Sequence, residues 1–229
     1  IGMGDHLGMA YVNTAEELAA VKRIIVQNVA SSGYAVLNAA DPLVVDMAEH
    51  CPGSVIFFAR DNLHHPVLAT HHAQHKRVIY LQGQYIVASG EDGEHKIALK
   101  NIPLTQDGSI YFQIENAMAA IGAAWALGLD WKVIREGLSS FISDSQTAPG
   151  RFNLFNYRNA TLIADYGHNP DAIQALVRAI DNIPSKKRSV VISAAGDRRD
   201  EDIRQQTRII GDAFDKVVLY QDQCQRGRA

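Results

Sequence analysis

The sequence predicts an α/β protein built in two parts, and three observations carry that prediction. Strand-length apolar runs flank a helical segment between residues 34 and 59, the parallel α/β pattern. A nearly uninterrupted apolar helix follows over 114–127. A second alternation of strand and helix then runs from Thr161 to Tyr220. Between the two parts, Ser143-Asp-Ser-Gln-Thr-Ala-Pro-Gly150 gathers turn formers into one stretch. The junction is therefore placed near residue 147, giving domains 1–146 and 147–229.

Each element has a local reason. Thr14-Ala-Glu-Glu17 is a capping box, and Leu18, Val21, Ile25 and Val29 continue at helical spacing. Tyr34–Asn38 reads as a short strand, Asp41-Pro42 opens a helix through Ala48, and Val55–Ala59 is a second strand. Val78–Leu81, Tyr85–Ala88 and Lys96–Leu99 are joined by Gln-Gly-Gln and Glu-Asp-Gly turns and predict an antiparallel margin. The apolar helix from Ile114 stops at Gly128, and another runs from Asp130 to about Phe141. In the second part, strands at 161–164, 189–193 and 217–220 alternate with helices opened by Asn169-Pro170 and Asp200, a Rossmann-like β-α-β-α-β run.

Composition removes several classes. Hydrophobic residues make up 47%, charged residues 21%, and the net charge is -3, so no nucleic-acid partner is expected. No apolar run approaches the roughly 20 residues of a membrane span, and no export signal is read, so neither a membrane nor secretion is expected. Cys51 and Cys224 have no spacing suited to a disulfide framework or zinc site, which fits a reducing cytoplasm. His64, His65, His71, His72 and His75 could suggest a metal, but Asp61 is the single acid near them, and a polar surface loop is expected instead.

Ligands of open parallel sheets bind beyond the carboxyl ends of strands, beside helix N-termini. Two loops of the second part place polar groups there: Asp165-Tyr166-Gly167-His168-Asn169, and Gly196-Asp-Arg198-Arg199-Asp200. Such loops suit a ribose, a phosphate or a carboxylate. The ordinary alternative is that Asn169 and Asp171 cap a helix and the arginines line a solvated face.

Four segments in order resemble the Mur ligase family. They are Asp5-His6, Ile114-Glu-Asn116 leading into an alanine-rich helix, Pro149-Gly-Arg151, and Asp165-Tyr-Gly-His-Asn-Pro170. The resemblance covers nearly the whole chain and implies parts of the family's central α/β domain and Rossmann-like C-terminal domain. It implies ATP and Mg2+ as cofactors and amide-bond formation through an acyl phosphate. His6 would ligate magnesium, and Lys22 would match the family's often carbamylated lysine. Asn116, Arg151, Asp165 and His168 would bind the nucleotide, with both domains closing over one ATP. Gly8 after His6-Leu7, the segment Gly33–Pro42, and Gly196-Asp-Arg-Arg-Asp-Glu-Asp202 are similar to the branch that joins arginine to the aspartate side chains of a poly-aspartate backbone. Arg198, Arg199 and Asp200 would then face the acidic polymer or the phosphates. Singly, each residue keeps a plain alternative: Lys22 an exposed helix lysine, Asn116 a cap, Arg151 a linker salt bridge, His168 a loop histidine.

A G-x-x-x-x-G-K-[ST] loop is required for the family's phosphates, and no Gly-Lys pair occurs in the chain. With Ile1 at its start and Arg228-Ala229 stopping just after a strand, the chain is expected to be a fragment, inactive alone, whose open strand edge favours homo-oligomers. Rival readings are another ligase of the family, making peptidoglycan precursors or folylpolyglutamates, and a non-catalytic nucleotide-binding module.

Overall fold

The structure, a computed structural model, describes Leu7, residues 11–193 and residues 198–220. The chain divides into two compact units, one spanning Ala19–Ser143 and the other built mainly from Asp144 onward.

Helix α1 (Ala15–Gln27) starts at the predicted box: Glu17 donates its amide to Thr14 Oγ1 at 3.1 Å, and Glu17 Oε2 accepts from the Thr14 amide at 3.2 Å. Its predicted apolar stripe is only partly used. Leu18, Ala19 and Val26 are buried, whereas Val21 and Ile25 are exposed. One turn of helix carries branched residues on several sides, and spacing alone does not say which side meets the sheet.

The first unit is a five-stranded sheet in the order β1 (Tyr34–Asn38), β2 (Ser54–Ala59), β3 (Val78–Gln82), β4 (Tyr85–Gly90), β5 (Gly93–Ala98). β1, β2 and β3 are parallel, with Tyr34 opposite Ser54 and Phe57 opposite Val78. β4 and β5 then fold back antiparallel, forming the predicted margin. Helix α2 (Pro42–Val45) is capped by Asp41, which accepts from Leu43 N at 3.0 Å, and continues as a 3-10 turn to His50.

Residues 54–59 face two layers in alternation. Ile56 and Phe58 join Ile79 in a core with Ile114, Met118 and Ile121 of helix α4 (Tyr111–Ala126), which starts three residues before the predicted Ile114. α4 lies so close to β1 that a Cβ on Gly122 would stand 2.6 Å from Val36 Cγ1. Phe57, on the opposite face, meets His71 edge-on at a centroid distance of 4.9 Å. That contact corrects the expected surface loop: Pro66–Ala73 is a helix, α3, opened by Pro66 and anchored by the fully buried Leu68. His71 Nε2 donates to the Val55 carbonyl at 2.9 Å, and burial pushes the imidazole below its ordinary value. Helix α5 (Trp131–Ser140) is capped by Asp130, as its sequence predicts.

In the second unit, β7 (Ala160–Ala164) does not open a parallel run. It pairs antiparallel with β6 (Asn153–Tyr157), a strand the sequence reading passed over. Helices α6 (Pro170–Ile180) and α7 (Asp200–Ala213) pack together through Ile173, Val177 and Ile210 against β8 (Ser189–Ile192), which is parallel to β9 (Lys216–Leu219). Among the described residues no ladder joins β7 to β8.

Candidate functional site

Hairpin register builds the polar centre of the second unit. Asn153 lies opposite Ala164, so the segment entering β6 and the segment leaving β7 meet. The Tyr166 amide donates to the Gly150 carbonyl at 2.8 Å, and the Phe152 amide donates to Asp165 Oδ2 at 2.9 Å. Asp165 Oδ1 accepts from the Gly167 amide at 2.7 Å. A Cβ on Gly167 would stand 2.9 Å from that oxygen, so any side chain there would push the carboxylate from this position. Buried Asn153 closes the other side, accepting from the Gly150 amide at 2.7 Å and donating to the Ala148 carbonyl at 3.0 Å.

On this frame, the Arg151 guanidinium stands 5.8 Å from the centroid of the Tyr166 ring, which is 62% exposed. His168 Nδ1 donates to the Tyr166 carbonyl at 3.0 Å, and the two rings meet edge-on at 5.1 Å. Asn169 caps α6 by accepting from the Ala172 amide at 2.8 Å. Arg151, Asp165 and His168 are thus brought together beside a helix N-terminus and an exposed aromatic face, a combination that suits a nucleoside or a phosphate.

The second predicted loop is arranged differently. Arg199 binds Asp202 through two hydrogen bonds, 2.8 and 2.7 Å, and that pairing raises its pKa above the ordinary arginine value. Asp202 is buried, so the guanidinium is held at the start of α7, where Asp200 is the first helical residue. Arg198 precedes it; Gly196 and Asp197 lie outside the described residues.

In the first unit, Asn116 is exposed on the second turn of α4 and donates to Gln113 Oε1 at 2.9 Å. It is not a helix cap, because α4 begins at Tyr111. Beside it is a pair missed in the sequence: Arg60, just past β2, binds Glu115 at 3.0 Å and lies 4.8 Å over the Tyr111 ring. The strand-end rule used for Asp165 would have found Arg60, had it been applied to Val55–Ala59. Lys22 sits on the exposed side of α1, the plain alternative of an exposed helix lysine. Asp5 and His6, the implied metal ligand, lie outside the described residues. Among the described residues no group of three His, Cys, Asp or Glu side chains could hold a metal ion, and no helix is long and apolar enough to cross a membrane.

A mixed five-stranded sheet with Arg60 at a strand end, followed by a second α/β unit whose hairpin joins Arg151 to the Asp165–His168 loop, defines a two-part α/β protein. Residues 3–124 match the Mur ligase middle domain, and residues 150–229 match the Mur ligase, glutamate ligase domain. The chain belongs to the Mur ligase family. It is similar to the cyanophycin synthetase of Geminocystis herdmanii, 36% identical over 98% of the chain and 26% of that protein. The cyanophycin synthetase of Synechocystis is 37% identical over the same shares. The chain therefore spans about a quarter of the length of these relatives. In fold it resembles MurF from Acinetobacter baumannii (TM-score 0.63, 18% identity, 90% of this chain and 42% of that one). It also resembles Mycobacterium tuberculosis folylpolyglutamate synthase complexed with ADP and AMPPCP (TM-score 0.63, 20% identity, 92% and 44%).

Proposed function

We propose that this chain forms the nucleotide-handling part of a longer ADP-forming ligase that joins arginine to the side-chain carboxylates of a poly-aspartate backbone. The observation that carries the reading is the docking of Gly150-Arg151-Phe152 onto Asp165-Tyr166-Gly167 through the 2.8 and 2.9 Å amide bonds. It gathers three of the nucleotide residues implied by the motifs. The similarity to two cyanophycin synthetases supports the choice of acceptor.

In this reaction the γ-phosphate of ATP moves to a carboxylate oxygen, releasing ADP; the arginine amine then attacks the acyl carbon, expelling phosphate and losing a proton. The obstacle is charge, since phosphate, carboxylate and developing oxyanion repel one another. Arg151 offsets phosphate charge, Asp165 and His168 orient the ribose, and Asn116 orients the base. Magnesium, when bound, would neutralise the phosphates, and His6 is its candidate ligand. Lys22 lies about sixteen residues beyond His6, the spacing of the family's modified lysine. Arg198 and Asp200 stand on the segment assigned to face the acidic acceptor or the phosphates, with Arg198 supplying the attraction, while Arg199 is tied to Asp202. The chain by itself is proposed to be inactive, in keeping with its lack of a Gly-Lys phosphate loop.

ADP release by the complete protein, with arginine and a poly-aspartate primer in one arm and a uridine-linked peptide precursor in another, tests the proposal. Release only with arginine and poly-aspartate supports it. Release only with the peptide precursor transfers the chain to another ligase of the family, and no release in either arm favours a non-catalytic module.

A further inference from the structure

We infer that the groove between β5 and α5 docks the extended acidic acceptor chain; this rests on the acceptor chemistry proposed above. The groove has a volume of about 390 Å3 and is lined by Lys96, Ala98, Lys100, Arg135, Glu136 and Ser139 among others. Three cations face one acid there. Lys96 is already held by Glu94 at 3.4 Å and Gln82 at 3.3 Å, so Lys100 and Arg135 supply the available charge. Both are exposed, and neither has a side-chain hydrogen bond or ion pair among the described residues.

The backbone adds a second, independent reason. β5 is the end strand of its sheet among the described residues. The Leu99 amide donates to the Gln84 carbonyl at 2.9 Å, and Ile97 lies opposite Ile86. Bonded pairs fall on alternate residues of an antiparallel ladder, so the N–H and C=O groups of Glu94, Lys96 and Ala98 point away from β4. Lys96 and Ala98 also line the groove, which therefore offers peptide hydrogen bonds as well as positive charge. An extended acidic peptide can use both, adding a strand while its carboxylates reach Lys100 and Arg135. Single-stranded nucleic acid fits less well, because no aromatic side chain lines the groove for bases to stack on.

Steady-state arginine transfer by the complete protein, measured against primer concentration, tests the site. Lys100→Glu/Arg135→Glu should raise the KM for poly-aspartate roughly ten-fold or more, leaving kcat at saturating primer and the KM for ATP unchanged. Glu136→Lys should lower the primer KM. Ala98→Pro probes the backbone: its φ of -71° suits proline and its N–H faces outward, so the ladder to β4 survives while primer affinity falls. An unmoved primer KM in the double charge reversal overturns the inference. So does displacement of fluorescein-labelled oligo-aspartate by single-stranded RNA more readily than by unlabelled oligo-aspartate. If the complete protein transfers no arginine to poly-aspartate, the acceptor assignment falls, while binding of the labelled oligo-aspartate still judges the groove.

Discussion

The Phe152 amide donates to the Asp165 carboxylate at 2.9 Å, tying the start of one hairpin strand to the end of the other. The same carboxylate holds the Gly167 amide at 2.7 Å, so one side chain sets the shape of the whole loop. Hydrogen bonds to a charged acceptor contribute about 1.5–3 kcal/mol, less when exposed as here. Asp165→Ala should therefore speed hydrogen exchange at the Phe152 and Gly167 amides by roughly ten-fold or more. Unchanged exchange at both would remove Asp165 from this role.

Arg151, carried on that frame, is the proposed phosphate contact. Losing one charge-assisted contact, worth about 1.5–3 kcal/mol, should weaken nucleotide binding by roughly ten- to a hundred-fold in Arg151→Ala of the complete protein. Titration with ADP measures it, and an unaltered affinity would refute the assignment.

Gly122 sets two effects against each other. Replacing a helical glycine by alanine ordinarily gains about 1 kcal/mol. Here the new Cβ would stand 2.6 Å from Val36 Cγ1, and valine is stiff at χ1. Overpacking of this kind costs about 1–3 kcal/mol, so Gly122→Ala should be net destabilising in urea unfolding. Adding Val36→Ala should recover part of the loss, giving a coupling of opposite sign to the single change. Additive effects would show that α4 does not press on β1.

His71 predicts a direction in pH. Burial, the largest cause, depresses its pKa below 6.5, and the charge of Lys76 adds to this, while the bond to Val55 opposes it. The unfolded chain therefore takes up the proton first as pH falls, and the stability His71 contributes is complete above about 6.5 and lost toward its lower folded value. Urea midpoints between pH 7.5 and 5.5 should fall, and His71→Gln should flatten that slope. An equally steep slope in the variant would assign the effect elsewhere.

Much of the fold is legible because its signals are local. The Thr14–Glu17 box, the Asp41 and Asp130 caps and Asn169-Pro170 each act within four residues, and all occur where the sequence places them. What was missed depends on distant partners. β6 reads Asn-Leu-Phe-Asn-Tyr, with polar residues a strand reading discounts, and only β7 gives it a partner. The histidine-bearing helix looks polar until His71 finds the Val55 carbonyl sixteen residues away. Arg60 and Glu115 are fifty-five residues apart, beyond any spacing rule. The motif residues Arg151 and Asp165 were recognised without the hairpin, although the hairpin is what joins them.

The outward amides of β5 have a cost as well as a use. A margin able to take up one foreign strand can also take up the same margin of another copy, the first step of sheet-to-sheet association. Lys96, and Lys100 just beyond the strand, place charge along this margin, one of the devices by which sheets discourage such pairing. On the acceptor site inferred above, the lysines would act as gatekeepers as well as hosts, favouring a negatively charged chain over the protein's own twin.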